Sequence, residues 1–300
     1  MIGKATKNIL AKAYNKDGRK DDTYMEFSNK HKRRDLELPS QRQRLQTAIE
    51  QDLIHDQHVL AVFYGGSIGE GNTDIYSDID LRIVVREEVF EEYRKNKKQR
   101  AMQWGNVLFF EDFPWTNYTI AHFDCFIKVD VFYYHPKMLH PSVWLQKIKI
   151  VYEKNGIMTD ILKRSKTLSY EPTIEEIEIW RGKCFAYMHE AYRRVMRNEL
   201  YYALHCVDNL RLLMAAAWYM EAGIQPNTIG DWAKIEGKRS KLADWQLFLL
   251  ESWDCNRDAV KIMSVIKQMI PEFKRVHRSL CEKKKLEENE EWLDRILGMI

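Results

Sequence analysis

Two apolar runs separated by a glycine-rich polar turn constrain this chain more than anything else in it. The first run is Val59-Leu60-Ala61-Val62-Phe63-Tyr64. It is short, partly β-branched and aromatic, and it stops at Gly65-Gly66, so it reads as a buried strand. After the turn, Asp78 to Val85 reads as a second strand. Its first half alternates polar and apolar, which puts Asp78 and Asp80 on one face and Ile79 and Leu81 on the other, toward a core.

Two carboxylates on one strand face repel each other. The arrangement makes sense if a divalent cation sits between them, and oxygen ligands of this kind suit Mg²⁺ together with substrate phosphates. The turn Gly65-Gly66-Ser67 offers the other half of such a site. Glycine lets backbone approach a phosphate closely, and a helix starting near Ser67 would favour an anion at its N-terminus.

Gly66-Ser67, a ten-residue spacer and Asp78-Ile79-Asp80 together resemble the signature of the nucleotidyltransferase superfamily that includes DNA polymerase beta. The Gly69-Glu70-Gly71 loop and Ser77 resemble the branch that adenylylates aminoglycoside and lincosamide antibiotics. The resemblance implies a two-metal Mg²⁺ site on Asp78 and Asp80, and ATP or another nucleoside triphosphate held by Gly65, Gly66 and Ser67. It also implies a third carboxylate on a later strand. Asp130 in Lys128-Val129-Asp130-Val131-Phe132 fits that place, as metal ligand or general base. A carboxylate inside an apolar strand needs a pair or a metal, and Lys128 on the same face is the alternative partner. Asp124 is a second candidate, nearer a turn.

The rest of the chain predicts an α+β architecture. Residues 1–38 form a polar lead-in. Residues 39–168 form a small mixed sheet, with a helix from Ser40 to about His55, an exposed amphipathic helix over 87–102, strands at 107–110, 118–126, 127–134 and 148–152, and a turn at Asn155-Gly156. Pro172-Thr173 marks a boundary, and residues 169–300 read as an all-α bundle. By the resemblance that bundle completes the acceptor pocket. Asp208 and Asn209 are the nominated acceptor-binding residues, although Asp208 stands three residues from Arg211 and can pair with it instead.

Composition narrows the partners. Forty-seven Lys and Arg against 44 Asp and Glu leave a net charge of +3, too balanced to imply a nucleic-acid partner. The basic clusters at 30–34, 94–100 and 283–285 read as solvated surface. No 18-residue apolar run suggests a membrane span. The N-terminus lacks the apolar core of a secretory signal, and five scattered cysteines give no disulfide framework or zinc motif, so a cytoplasmic enzyme is expected. No phosphate-loop, dinucleotide, nucleophile-elbow or HExxH motif occurs. The expected reaction is transfer of AMP to a hydroxyl of a small molecule, with a role in antibiotic resistance; the oligomeric state is open. Three rivals are a toxin–antitoxin component, transfer to RNA or protein, and a non-catalytic nucleotide-binding module. A fused helical ribonuclease is disfavoured because no arginine precedes a histidine by four to six residues. Loss of catalysis is disfavoured because both Asp78 and Asp80 are present.

Overall fold

The computed structural model describes residues 29–287 and 289–300; most of the expected lead-in lies outside them. The chain divides into two compact units, Met1–Leu168 and Ser169–Ile300.

The first unit is a six-stranded mixed sheet. Its strands are β1 (Val59–Tyr64), β2 (Ile79–Val85), β3 (Val107–Asp112), β4 (Tyr118–Phe123), β5 (Lys128–Tyr134) and β6 (Lys149–Glu153), in the order β3-β4-β5-β2-β1-β6. Only β2 and β5 run parallel. One face carries Ile79, Leu81, Val129 and Val131, all fully buried, and packs with Leu45, Ile49 and Leu53 of helix α1 (Lys32–Ile54). On the other face Ala61, Phe63 and Val84 join Met158 and Ile161 of helix α5 (Ile157–Ser165) in a separate cluster. On this same face Asp80, Arg82, Lys128, Asp130 and Phe132 are half-buried. Alternation along β2 and β5 thus separates a core face from a polar face.

Three local expectations change. Helix α1 begins at Lys32, with Pro39 inside it, rather than at Ser40. Ser40 is no cap; its hydroxyl donates to the Glu37 carbonyl. The expected helix over 87–102 is broken into a 3₁₀ turn at 87–89, α3 (Phe90–Lys95) and α4 (Lys97–Ala101), and it is not wholly exposed. Lys97 is buried because its ammonium meets Asp112 Oδ1 at 3.1 Å and the carbonyls of Phe113 and Thr116. The strand expected to reach Phe126 stops at Phe123, where a turn places Phe126 at a φ of 65°.

The second unit is helical: α6 (Ile174–Met196), α7 (Leu200–Glu221), α8 (Asp244–Ser252), α9 (Ala259–Lys284) and α10 (Glu290–Leu297). Thr173 starts α6 with a capping box, its hydroxyl accepting from Glu176 N–H while Glu176 accepts from Thr173 N–H. Helix α7 is apolar on most of its surface because it forms the centre of this unit, packing on α6 and α9. Trp180 on α6 donates to the Leu213 carbonyl of α7, so its one polar atom is satisfied where it is buried.

Candidate active site

β1 ends at Tyr64, and the chain turns at once into α2 (Gly66–Glu70), a single helical turn. Gly65 N–H donates to the Asp80 carbonyl at 2.9 Å, so the turn is sewn to β2. Gly66 has a φ of +52°, and a Cβ built there would lie 1.8 Å from Asp80 Oδ2. Only glycine lets this turn sit against that carboxylate. Ser67 is 2% exposed, and its Oγ has no hydrogen-bond partner.

The loop between α2 and β2 is held from below. Asp74 accepts from Tyr76 N–H and from the Ser77 hydroxyl, an Asx turn. Arg42 of α1, buried, donates to the Ser77 carbonyl at 2.8 Å. Asp78 follows directly, and Asp80 comes two residues later on the polar face.

Parallel pairing of β2 with β5 sets Asp80 beside Asp130. Asp78, Asp80 and Asp130 therefore come together, and the Gly66-Ser67 turn rests against Asp80. Arg82 pairs in register with Phe132 on the same face; its guanidinium lies 4.0 Å over that ring and 3.6 Å from Asp80 Oδ1. Phe132 in turn stacks on Tyr118 of β4 at 5.2 Å. Lys128 Nζ stands 3.1 Å from Asp78 Oδ2 and 3.1 Å from Asp130 Oδ2.

Burial holds the Asp130 carboxyl above the ordinary range; Lys128 works against that shift, and Asp78 and Asp80 add to it. Burial opposes the charge on Lys128, but Asp130 and Asp78 outweigh it, so this ammonium is held more firmly than an ordinary lysine's. Asp130 Oδ1 is buried with no hydrogen-bond partner.

Among the described residues, no trio of His, Cys, Asp and Glu is gathered closely enough to bind a metal as it stands. The donor chemistry nonetheless suits a hard cation. The oxygens are carboxylate, one is orphaned, and a lysine ammonium stands in between two of the acids.

The other nominated residues lie elsewhere. Asp124 sits in the β4–β5 turn and accepts from Asn106 Nδ2 at 3.0 Å, apart from the three carboxylates. Asp208 on α7 is ion-paired with Arg211, and Asn209 donates to the His205 carbonyl at 2.7 Å, so both are engaged by their own helix. Arg42 escaped the sequence reading, since a buried arginine on a helix carries no local signal. Lys128 was legible only as a partner for Asp130; its contact with Asp78 needs the β2–β5 pairing.

No protein-family model matches the sequence, and no curated protein matches it. In structure the chain is similar to an aminoglycoside 6-adenyltransferase from Bacillus subtilis, with 13% identity, a TM-score of 0.35, and coverage of 86% of this chain and 94% of that one. It is also similar to a nucleotidyltransferase-like protein from Exiguobacterium sibiricum 255-15, with 13% identity, a TM-score of 0.36, and coverage of 83% and 81%. At this identity and TM-score neither likeness bears on the activity of this chain.

Proposed function

We propose that the chain is a Mg²⁺-dependent nucleotidyltransferase that moves AMP from ATP onto a hydroxyl of a small molecule, an aminoglycoside or lincosamide antibiotic. The observation that carries this reading is the meeting of Asp78, Asp80 and Asp130 beside the Gly66-Ser67 turn. Asp78 and Asp80 would hold the cation, with Asp130 as third ligand or as base. When bound, Mg²⁺ supplies charge neutralisation at the triphosphate and at the attacking and leaving oxygens.

The chain's own residues do the rest. Ser67, buried with an unused hydroxyl, donates to a phosphate oxygen that the Gly65-Gly66 backbone lets come close. Asp130, raised in proton affinity by burial, is suited to take the acceptor's hydroxyl proton. The acceptor oxygen bonds to the α-phosphorus as the bond to pyrophosphate breaks.

The test is a screen of hydroxylated acceptors with ATP and Mg²⁺, followed by pyrophosphate release, on wild type and Asp80→Asn. Release should depend on one acceptor class. It should fall by about 10²–10³ in the variant, the scale of removing one electrostatic stabiliser of a transition state. Near-normal turnover in Asp80→Asn would sink the reading.

A further inference from the structure

Asp80 and Asp130 face each other across β2 and β5, Asp78 stands just before β2, and the three carboxylates repel. Two cations of the chain bracket them, and the two differ in kind. Arg82 is fixed: its guanidinium lies against the Phe132 ring, and Nη1 donates to the Leu81 carbonyl. Lys128 is a compact point charge on a flexible four-carbon stem. It is one-third exposed and bridges Asp78 and Asp130 at equal distances of 3.1 Å. A cation held by Asp78, with Asp130 as third ligand, would compete for the same two oxygens.

A divalent cation and this ammonium cannot share the place, because like charges a few ångströms apart in a partly desolvated site repel strongly. A free aqueous metal ion would have to expel Lys128 into solvent, away from two carboxylates, and give up part of its own shell. A metal that arrives on a triphosphate changes the balance. The expelled ammonium could then pair with the negative charge of the triphosphate, exchanging one set of anionic partners for another.

We infer that Lys128 is a built-in counter-ion: it keeps the carboxylate site from free divalent cations and passes to the triphosphate when metal and nucleotide arrive together. This inference rests on the nucleotidyltransferase reading and adds to it an order of loading. Lys128 is thereby the residue that couples metal affinity to nucleotide.

The probe is Mn²⁺, with the free ion followed by electron paramagnetic resonance, for wild type, Lys128→Met and Lys128→Arg. Each is titrated alone and with a non-hydrolysable ATP analogue. Without nucleotide, Lys128→Met should bind Mn²⁺ at least about tenfold more tightly than wild type, equivalent to about 1.4 kcal/mol. Lys128→Arg keeps the charge and should stay near the wild-type value. With the analogue, the gain that nucleotide gives to Mn²⁺ binding should shrink in Lys128→Met by about tenfold or more. Nucleotide-free Mn²⁺ affinity in Lys128→Met equal to or weaker than wild type overturns the inference.

If Lys128→Met melts early from carboxylate repulsion, melting becomes the readout. Mn²⁺ alone must then raise its melting temperature while leaving wild type unchanged, and the absence of that rise also overturns the inference. The two ideas fail separately. Wild type that binds the Mn²⁺–analogue pair in an Asp80-dependent way, with no effect of Lys128→Met, removes only the counter-ion. Wild type that binds no such pair removes the parent reading and the counter-ion with it.

Discussion

Gly66 opens one helical turn and Gly71 caps it, and both have positive φ, +52° and +70°. They differ in what a side chain would meet. A Cβ at Gly66 would collide with Asp80 Oδ2, whereas nothing lies within 4 Å of one at Gly71. Alanine in the left-handed region costs about 1–2 kcal/mol at either position. Gly66→Ala must in addition push Asp80 from its place. Gly71→Ala should therefore lower the denaturation midpoint slightly and keep pyrophosphate release, while Gly66→Ala should lower it further and abolish release. Equal activity in the two variants would mean that the turn does not position Asp80. The glycines were legible in sequence as a turn. That Gly66 rests on a carboxylate fourteen residues later was not, because it depends on where β2 lies beside β1.

At the scale of elements, a charged cluster joins α1 to α4. Arg100 donates to Asp52 at 2.8 Å and to Asp56 at 2.6 Å; Trp104 also donates to Asp52, and Tyr93 to Asp56. Arg100→Met leaves two half-buried carboxylates without their cation and should cost about 3 kcal/mol in a denaturant melt. The same cluster predicts acid sensitivity. Burial would raise the Asp56 carboxyl, but Tyr93, Arg100 and the His58 N–H outweigh it, so its folded pKa lies below the ordinary value. A depressed folded pKa means that the unfolded chain binds the proton more readily. The stabilisation is complete above the unfolded value, about 3.9, and is lost as pH falls through the folded one. Below about pH 4 wild type should lose stability more steeply than Asp56→Asn, and parallel acid titrations of the two would refute this. None of the cluster was legible, since its members come from three elements. The misread edges have the same origin. The segment 87–102 looks like one exposed helix until Lys97 turns inward to Asp112. Ser40 looks like the start of a helix, yet α1 begins at Lys32 and runs through Pro39, with Leu38 and Leu45 on either side buried in the sheet's core.

At the scale of the whole molecule, the chain has two kinds of core. The sheet unit alternates along its strands; the helical unit is centred on α7 and the rings of Trp180, Trp218, Trp253 and Phe273. That change of period made the α+β fold class legible in sequence. Within the site, alternation put Asp78 and Asp80 on one face, and Lys128 and Asp130 on one face. Only the parallel β2–β5 pairing joins the two sets, and strand order is not written in local pattern. Every proposed metal and nucleotide residue lies in Met1–Leu168, while residues 169–300 bury a large apolar set of their own. A fragment of residues 169–300 should therefore be helical by circular dichroism and melt cooperatively. In the full chain, ATP with Mg²⁺ at a hundred times its Kd should add about 2.7 kcal/mol to the unfolding free energy of the unit that binds it. The gain should vanish with a chelator and in Asp80→Asn. The fragment's melt should not respond to ATP and Mg²⁺ at all. An equal response in the fragment would place the nucleotide on the helices and remove Asp78, Asp80 and Asp130 from the site; a fragment that stays unfolded would show that the helical core needs the sheet unit to form.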